Sequence, residues 1–224
     1  MAYRSGSARR PTGAAATPEP PRDCPLCPRL VAYREANRRA EPAWFNGAAP
    51  SFGDPQARLL IVGLAPGRGG ANRTGRPFTG DFAGVLLYET LLRTGFARGV
   101  YRASADDGLT LVDCMITNAV RCAPPLNRPS SAEETTCRPF LAARIAALPR
   151  LRVIVALGEV ARRNVLKALG LPARVGGGHG AEARAGPYLL IGSYHCSRLN
   201  TNTGRLTGPM FHAVFERARE LLQS

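Results

Sequence analysis

Two kinds of segment alternate along this chain of 224 residues. Short, nearly continuous apolar runs at residues 59–62, 111–120, 153–157 and 188–194 read as buried strands. Between them, apolar residues recur at helical spacing over 26–39, 82–96, 131–148, from Gly158 to about Leu169, and over 209–222. Within 82–96, Val85, Leu86, Leu91 and Leu92 are the expected inward positions. Ser130 or Ser131, followed by Glu133 and Glu134, marks the start of the helix over 131–148. Strands alternating with helices predict an α/β protein with a parallel sheet covered on both faces. Residues 174–186, where glycines surround His179, read as a loop. Residues 1–22 combine Arg, Pro, Ala and Gly with almost no apolar side chains, and read as a disordered basic tail before one domain over 23–224.

Composition narrows the class. A hydrophobic share of 45% with 21% charged residues describes a globular chain. No apolar run approaches the ~20 residues that span a bilayer. The first residues lack the apolar core of a secretory signal, so the expected compartment is the cytoplasm. The formal net charge is +14, from 30 basic and 16 acidic residues, and Lys167 is the one lysine. Such a balance favours polyanions, most often nucleic acid. A generally basic surface without a dedicated partner gives the same count.

The candidate chemistry starts at the end of the first apolar run. Gly63-Leu64-Ala65-Pro66-Gly67 opens a long glycine-rich connection that runs through Arg68, Arg73, Arg76 and Phe78 to Asp81. Glycines there expose backbone N–H groups and let main chain approach a flat ligand or a phosphate. In an open α/β sheet, ligands bind at the carboxyl ends of the strands. That edge gathers the glycine loop, Asn118 and His195-Cys196-Ser197. Phe78 could stack on a ligand or fill a small core beneath the loop. Asn118 could present its amide to a ligand or cap a turn. Asp81 suits a reacting carboxylate and a helix N-cap equally.

The six cysteines are expected to be free thiols in a reducing compartment. Cys24 and Cys27 form a Cys-x2-Cys pair between prolines, and Cys122 and Cys137 bracket a proline-rich stretch. Together the two pairs could hold either an iron–sulfur cluster or zinc. Cys114 reads as a core residue, and Cys196 has no assigned role beyond packing.

The motifs around Gly63–Asp81, Asn118–Pro125 and His195–Gly204 resemble those of family 5 uracil-DNA glycosylases, from about Cys24 to the C-terminus. The resemblance implies a three-layer α/β/α sandwich on a central four-stranded parallel sheet. It also implies a structural [4Fe–4S] cluster on Cys24, Cys27, Cys122 and Cys137. The implied activity is monofunctional hydrolytic removal of uracil, and of other deaminated bases such as hypoxanthine or xanthine, from DNA. By the same resemblance, Gly63, Leu64 and Ala65 line the base, Phe78 stacks on it and Asn118 reads its edge. His195 then hydrogen-bonds the base as the glycosidic bond breaks. Arg68, Arg73 and Arg76 are candidates for flanking phosphates, and Arg198, Asn200 and Arg205 for a loop that enters the DNA. The cluster would also position Arg121, Arg128 and Arg138 for DNA, and His179 sits in a loop that could touch it.

Two departures matter. Ala65 stands where related families place a carboxylate or amide that orients water, which leaves Asp81 as the nearest charged candidate. Cys196 stands where proline is more usual. Two other classes compete: a nucleotide-binding or redox α/β protein, and a metal-stapled DNA-damage-binding module without catalysis. The glycine loop lacks the Lys-Ser/Thr of a P-loop and the spacing of a dinucleotide fingerprint, which disfavours the first. No lysine near the site could form an imine with the sugar, so the enzyme reading is hydrolytic.

Overall fold

The structure, a computed structural model, describes residues 18–175 and 177–223. The helices are α1 (Pro28–Ala40), α2 (Ala71–Thr74), α3 (Phe82–Arg93), α4 (Ser131–Ala146), α5 (Glu159–Ala168), α6 (Arg198–Asn202) and α7 (Gly208–Gln223). The strands are β1 (Phe52–Gly53), β2 (Leu59–Gly63), β3 (Ala97–Arg98), β4 (Thr110–Leu111), β5 (Cys114–Asn118), β6 (Val153–Leu157), β7 (Glu182–Ala185) and β8 (Tyr188–Ser193).

The main sheet has the order β1-β5-β2-β6-β8-β7. Its four central strands, β5, β2, β6 and β8, are mutually parallel, as the sequence predicts. Antiparallel β1 and β7 close the two edges, so the sheet is mixed and six-stranded. β7 falls inside the stretch read as a loop. Strands β3 and β4 make a separate two-stranded ribbon.

Alternation along β2 explains the layers. Leu59 and Ile61 point into a core shared with α3 and α7, where Leu87, Leu91, Phe211 and Phe215 are buried. Leu60 and Val62 point the other way, into a core with Leu141 and Ile145 of α4 and Val165 and Leu166 of α5. Each β2 side chain is removed from water, which stabilises by about 1.5–3 kcal/mol per large aliphatic residue. A third cluster surrounds Cys24, Cys122 and Cys137 with Leu30 and Val120. Cys114 and Cys196 are core residues.

Two sequence expectations need correction. Leu91 is buried and Leu86 and Leu92 pack against the core as expected, but Val85 is exposed, and Ala83, Gly84, Leu87 and Tyr88 also face inward. Residues 18–22, assigned to the tail, are packed onto the domain. Glu19 bonds Arg121 and Arg144, and its carboxylate accepts from the Ser51 N–H at 3.0 Å. Ion pairing to buried Arg121 and half-buried Arg144 holds a segment that apolar content alone would leave loose. The expectation for residues 1–17 lies outside the described residues.

Candidate active site

Three parallel strands deliver the site at their carboxyl ends. Gly63 closes β2 and is paired in register with Asn118 at the end of β5, while β8 leads into His195. A Cβ at Gly63 would stand 2.5 Å from Asn118 Oδ1 and 2.5 and 2.7 Å from Phe78 Cζ and Cε2. Glycine therefore lets an amide and an aromatic ring meet at the end of a buried strand. The Phe78 and His195 rings are 6.0 Å apart between centroids, which brings Phe78, Asn118 and His195 into one site.

Phe78 is buried and holds a φ of 53°, a conformation costly for an aromatic residue. Its carbonyl oxygen lies 1.8 Å from where a Cβ of Gly84 would be, so α3 can pack against it only with glycine there. The Tyr101 hydroxyl donates to that carbonyl at 3.3 Å and accepts from the Gly80 N–H at 3.3 Å. Sequence reasoning missed both supports. The signal for Gly84 was present, since glycine in a helix interior costs about 1 kcal/mol against alanine and implies a packing reason.

Asn118 Oδ1 is buried without a hydrogen-bond partner. An orphan acceptor beside an aromatic ring carries a desolvation cost that a ligand donor would remove. Burial pushes the His195 imidazole down to about 4, so it is neutral at pH 7. Gly158, at φ 91°, lies against the back of His195, where a Cβ would be 3.3 Å from the His195 Cβ. Asn200 Nδ2 donates to the His195 carbonyl at 2.8 Å. His179 turns inward: its Nδ1 accepts the Tyr194 N–H at 3.1 Å, and its ring stacks on Tyr194. Leu64, Gly158, His195, Asn200 and Arg205 line an open cleft beside the slot.

The two readings of Asp81 divide between its oxygens. Oδ1 accepts from the Gly84 N–H at 3.0 Å and caps α3. Oδ2 faces the glycine loop, 2.3 Å and 3.3 Å from where Cβ atoms of Gly70 and Gly67 would stand. Burial raises the carboxyl above its ordinary value. Ala65 packs against the cysteine cluster and offers no polar group.

The predicted arginines separate into braces and free groups. Arg76 is not available to a phosphate, because it is 5% exposed and grips Asp107 through two bonds of 2.8 and 2.7 Å. Its guanidinium also lies over the Phe52, Tyr88 and Tyr101 rings. Arg121 is 2% exposed and is bound to Glu19 and Ser51, which removes it likewise. Arg68 lies over Trp44 and donates to Asn37 Oδ1 at 2.8 Å. Arg73 donates to the Gly69 carbonyl at 2.8 Å, tying the glycine loop while remaining exposed. Arg128 is exposed, and Arg138 is half-buried and donates to Asn164 Oδ1 at 3.3 Å. Arg198 sits over Phe82, and Arg205 over Tyr194. Leu199, 73% exposed between Arg198 and Asn200, was not singled out from sequence.

Cys24, Cys27, Cys122 and Cys137 line one cavity with Leu26, Leu30 and Phe140. All four are free thiols. Among the described residues, no three His, Cys, Asp or Glu side chains converge on a single metal ion, and the four cysteines share the wall of this cavity instead. Burial pushes Cys122 up to about 11 and Cys137 up to about 12, so thiolates there need a compensating cation. The Arg121 N–H points at Cys137 Sγ (3.3 Å), and Arg34 Nη1 lies 3.9 Å from Cys122 Sγ. Donors aimed at sulfur suit a metal-bound thiolate set.

A three-layer α/β/α scaffold brings an aromatic, an amide and a neutral histidine together at its sheet edge, a set able to stack on and hydrogen-bond a planar ring. The family description "Uracil DNA glycosylase superfamily" matches residues 50–219. The chain belongs to that superfamily, whose members are DNA N-glycosylases, a class of hydrolases. It is 46% identical over 210 residues to the type-5 uracil-DNA glycosylase of Thermus thermophilus, covering 88% of this chain and 93% of that protein. Against the type-5 enzyme of Pyrobaculum aerophilum it is 42% identical over 200 residues, 88% of each chain. The type-5 enzyme of Mycobacterium leprae is 45% identical over 210 residues, 88% of this chain and 91% of that one. Among the described residues no helix is long and apolar enough to cross a membrane.

Proposed function

We propose that this chain flips uracil out of DNA and hydrolyses its N-glycosidic bond, leaving an abasic site. The observation that carries this reading is the orphaned Asn118 Oδ1 beside the Phe78 ring. Uracil presents an N3–H donor next to the O4 acceptor, and one amide answers both. Cytosine has an acceptor at N3 and leaves Oδ1 unpaired, which is the basis of discrimination. Phe78 supplies the stacking face that replaces the neighbouring bases. As the bond breaks, negative charge grows on the base, and a neutral His195 N–H directed at O2 stabilises it more than it stabilises bound substrate. The Asp81 oxygen left over from capping orients water or offsets the positive charge developing on the sugar. Hypoxanthine and xanthine also present an N–H beside a carbonyl and fall within the same recognition logic.

Cys24, Cys27, Cys122 and Cys137 would hold the [4Fe–4S] cluster, which supplies structural cross-linking between the N-terminal segment and the loop after β5. Arg34 and the Arg121 N–H would balance its sulfurs. Ala65 packs on the same cluster of residues, which links that staple to the base loop.

The test is base release from an oligonucleotide with one uracil, read by alkaline cleavage at the abasic product, for wild type and His195→Ala. Release by wild type that falls at least ~100-fold in the variant supports the mechanism. No release of uracil or hypoxanthine from duplex or single strand by wild type would refute it and favour a non-catalytic damage binder.

A further inference from the structure

The loop after β5 carries Leu126, which at 86% is the most exposed large apolar side chain among the described residues. Leu126 and Asn127 both hold a φ of 55°, in the left-handed region that asparagine tolerates and leucine avoids. Held between Pro124-Pro125 and Pro129, this left-handed turn, strained at Leu126, faces the leucine out of the molecule. The loop is also braced from below. The Asn127 and Arg128 N–H groups donate to the Pro124 and Pro125 carbonyls at 3.2 and 3.1 Å. Arg29 donates to the Arg128 carbonyl at 3.1 Å and to both Glu133 oxygens at 2.8 and 2.7 Å. Glycine would adopt this backbone freely, so a leucine held outward at this position points to a contact.

The loop adjoins the site. Asn127 Oδ1 lies 4.0 Å from where a Cβ of Gly67 would stand, and Asp81 Oδ2 lies 3.3 Å from the same point. Leu199 leaves the same sheet edge after β8. Two strands, β2 and β6, separate β5 from β8, so the two strand ends lie roughly 14 Å apart, with the pocket between them. Exposed Arg128 sits beside Leu126 and supplies a cation for the adjoining phosphate.

We propose that Leu126 is an apolar contact to the duplex DNA beside the flipped nucleotide, and that it favours double-stranded over single-stranded substrate. This rests on the reading that the pocket takes a base from DNA.

The test compares full-length wild type, Leu126→Gly and Leu126→Ser. It measures fluorescence anisotropy on a duplex with a stable abasic analogue and on the same strand alone, together with Tm. Leu126→Gly is expected to keep or raise Tm, because glycine relieves the left-handed strain. Duplex affinity should fall on the order of tenfold in both variants, as for one leucine left uncovered, with single-strand affinity within about twofold of wild type. Unchanged duplex affinity, or equal losses on duplex and strand, would overturn the proposal. Uracil release is scored separately: wild type that binds but does not release the base refutes the activity, while Leu126 is still judged on binding. Wild type that binds neither DNA overturns both.

Discussion

Gly63→Ala tests the pocket with one methyl group. The added Cβ would stand 2.5 Å from both Asn118 Oδ1 and Phe78 Cζ, where ordinary contact begins near 3.4 Å. Relief needs a displacement of roughly 1 Å of the amide, the ring or the strand end. Asn118 is held in the β5 ladder opposite Gly63, and the Phe78 backbone is wedged against Gly84 and Tyr101. The ring and amide must therefore rotate within the slot, where a displacement of ~1 Å costs about 100-fold in rate. Overpacking a tight site also costs about 1–3 kcal/mol. For a domain of this size that lowers Tm by about 2–4 °C per kcal/mol. Single-turnover uracil release at saturating enzyme, with a melting curve on the same preparation, reads both. A variant with wild-type rate and Tm would refute the geometry, because the base could not then occupy the space between Gly63, Phe78 and Asn118.

Asp81→Asn keeps an N-cap acceptor, so stability should hold within about 0.5 kcal/mol, whereas Asp81→Ala should lose about 1 kcal/mol. Uracil release should fall in both, and a full rate in Asp81→Asn would assign the carboxylate to capping alone. His195 titrates near 4 in the fold against 6.5 ordinarily, so the folded state resists its protonation. Its contribution to stability is complete above about pH 6.5 and is lost as pH falls toward 4. His195→Gln should flatten denaturant stability across that window, and an unchanged pH slope would contradict the burial argument. Arg76 holds the Asp107 carboxyl well below its ordinary value. Arg76→Met should lose about 3–5 kcal/mol of stability while leaving the salt dependence of DNA binding unchanged. A shallower salt slope would instead return Arg76 to the phosphate contacts.

The central strands were legible because parallel strands buried on both faces show as unbroken apolar runs, as at Leu59–Gly63 and Val153–Leu157. β7 was not. Its Glu182, Ala183, Arg184 and Ala185 carry no strand pattern, and the antiparallel register with β8 makes them a strand. The inward face of α3 was misjudged for a related reason. Apolarity favoured Val85, but the close approach of the Phe78 carbonyl requires small residues inside, so Gly84 turns in and Val85 turns out. Asn118 and His195 were legible through their positions at strand ends. The second oxygen of Asp81 was not, because only the folded glycine loop shows where it points.

Arginine content carries the same lesson into function. A count of basic residues treats every guanidinium as an outward charge, yet Arg34, Arg76, Arg121 and Arg162 are buried. Arg76 and Arg162 hold their acids bidentately, and Glu19 fixes Arg121 together with Arg144. Each internal pair withdraws one acidic group along with one or more basic ones. Pairing therefore removes several arginines from the outward charge that a count over the whole sequence suggests. Arg73, Arg128, Arg198 and Arg205 are exposed on the segments that follow the strand ends around the pocket. On the proposed function these are the arginines placed to attract DNA phosphates, whereas the buried set braces the fold. Replacing an exposed arginine should therefore change the salt dependence of binding, and replacing a buried one should change the fold before it changes binding.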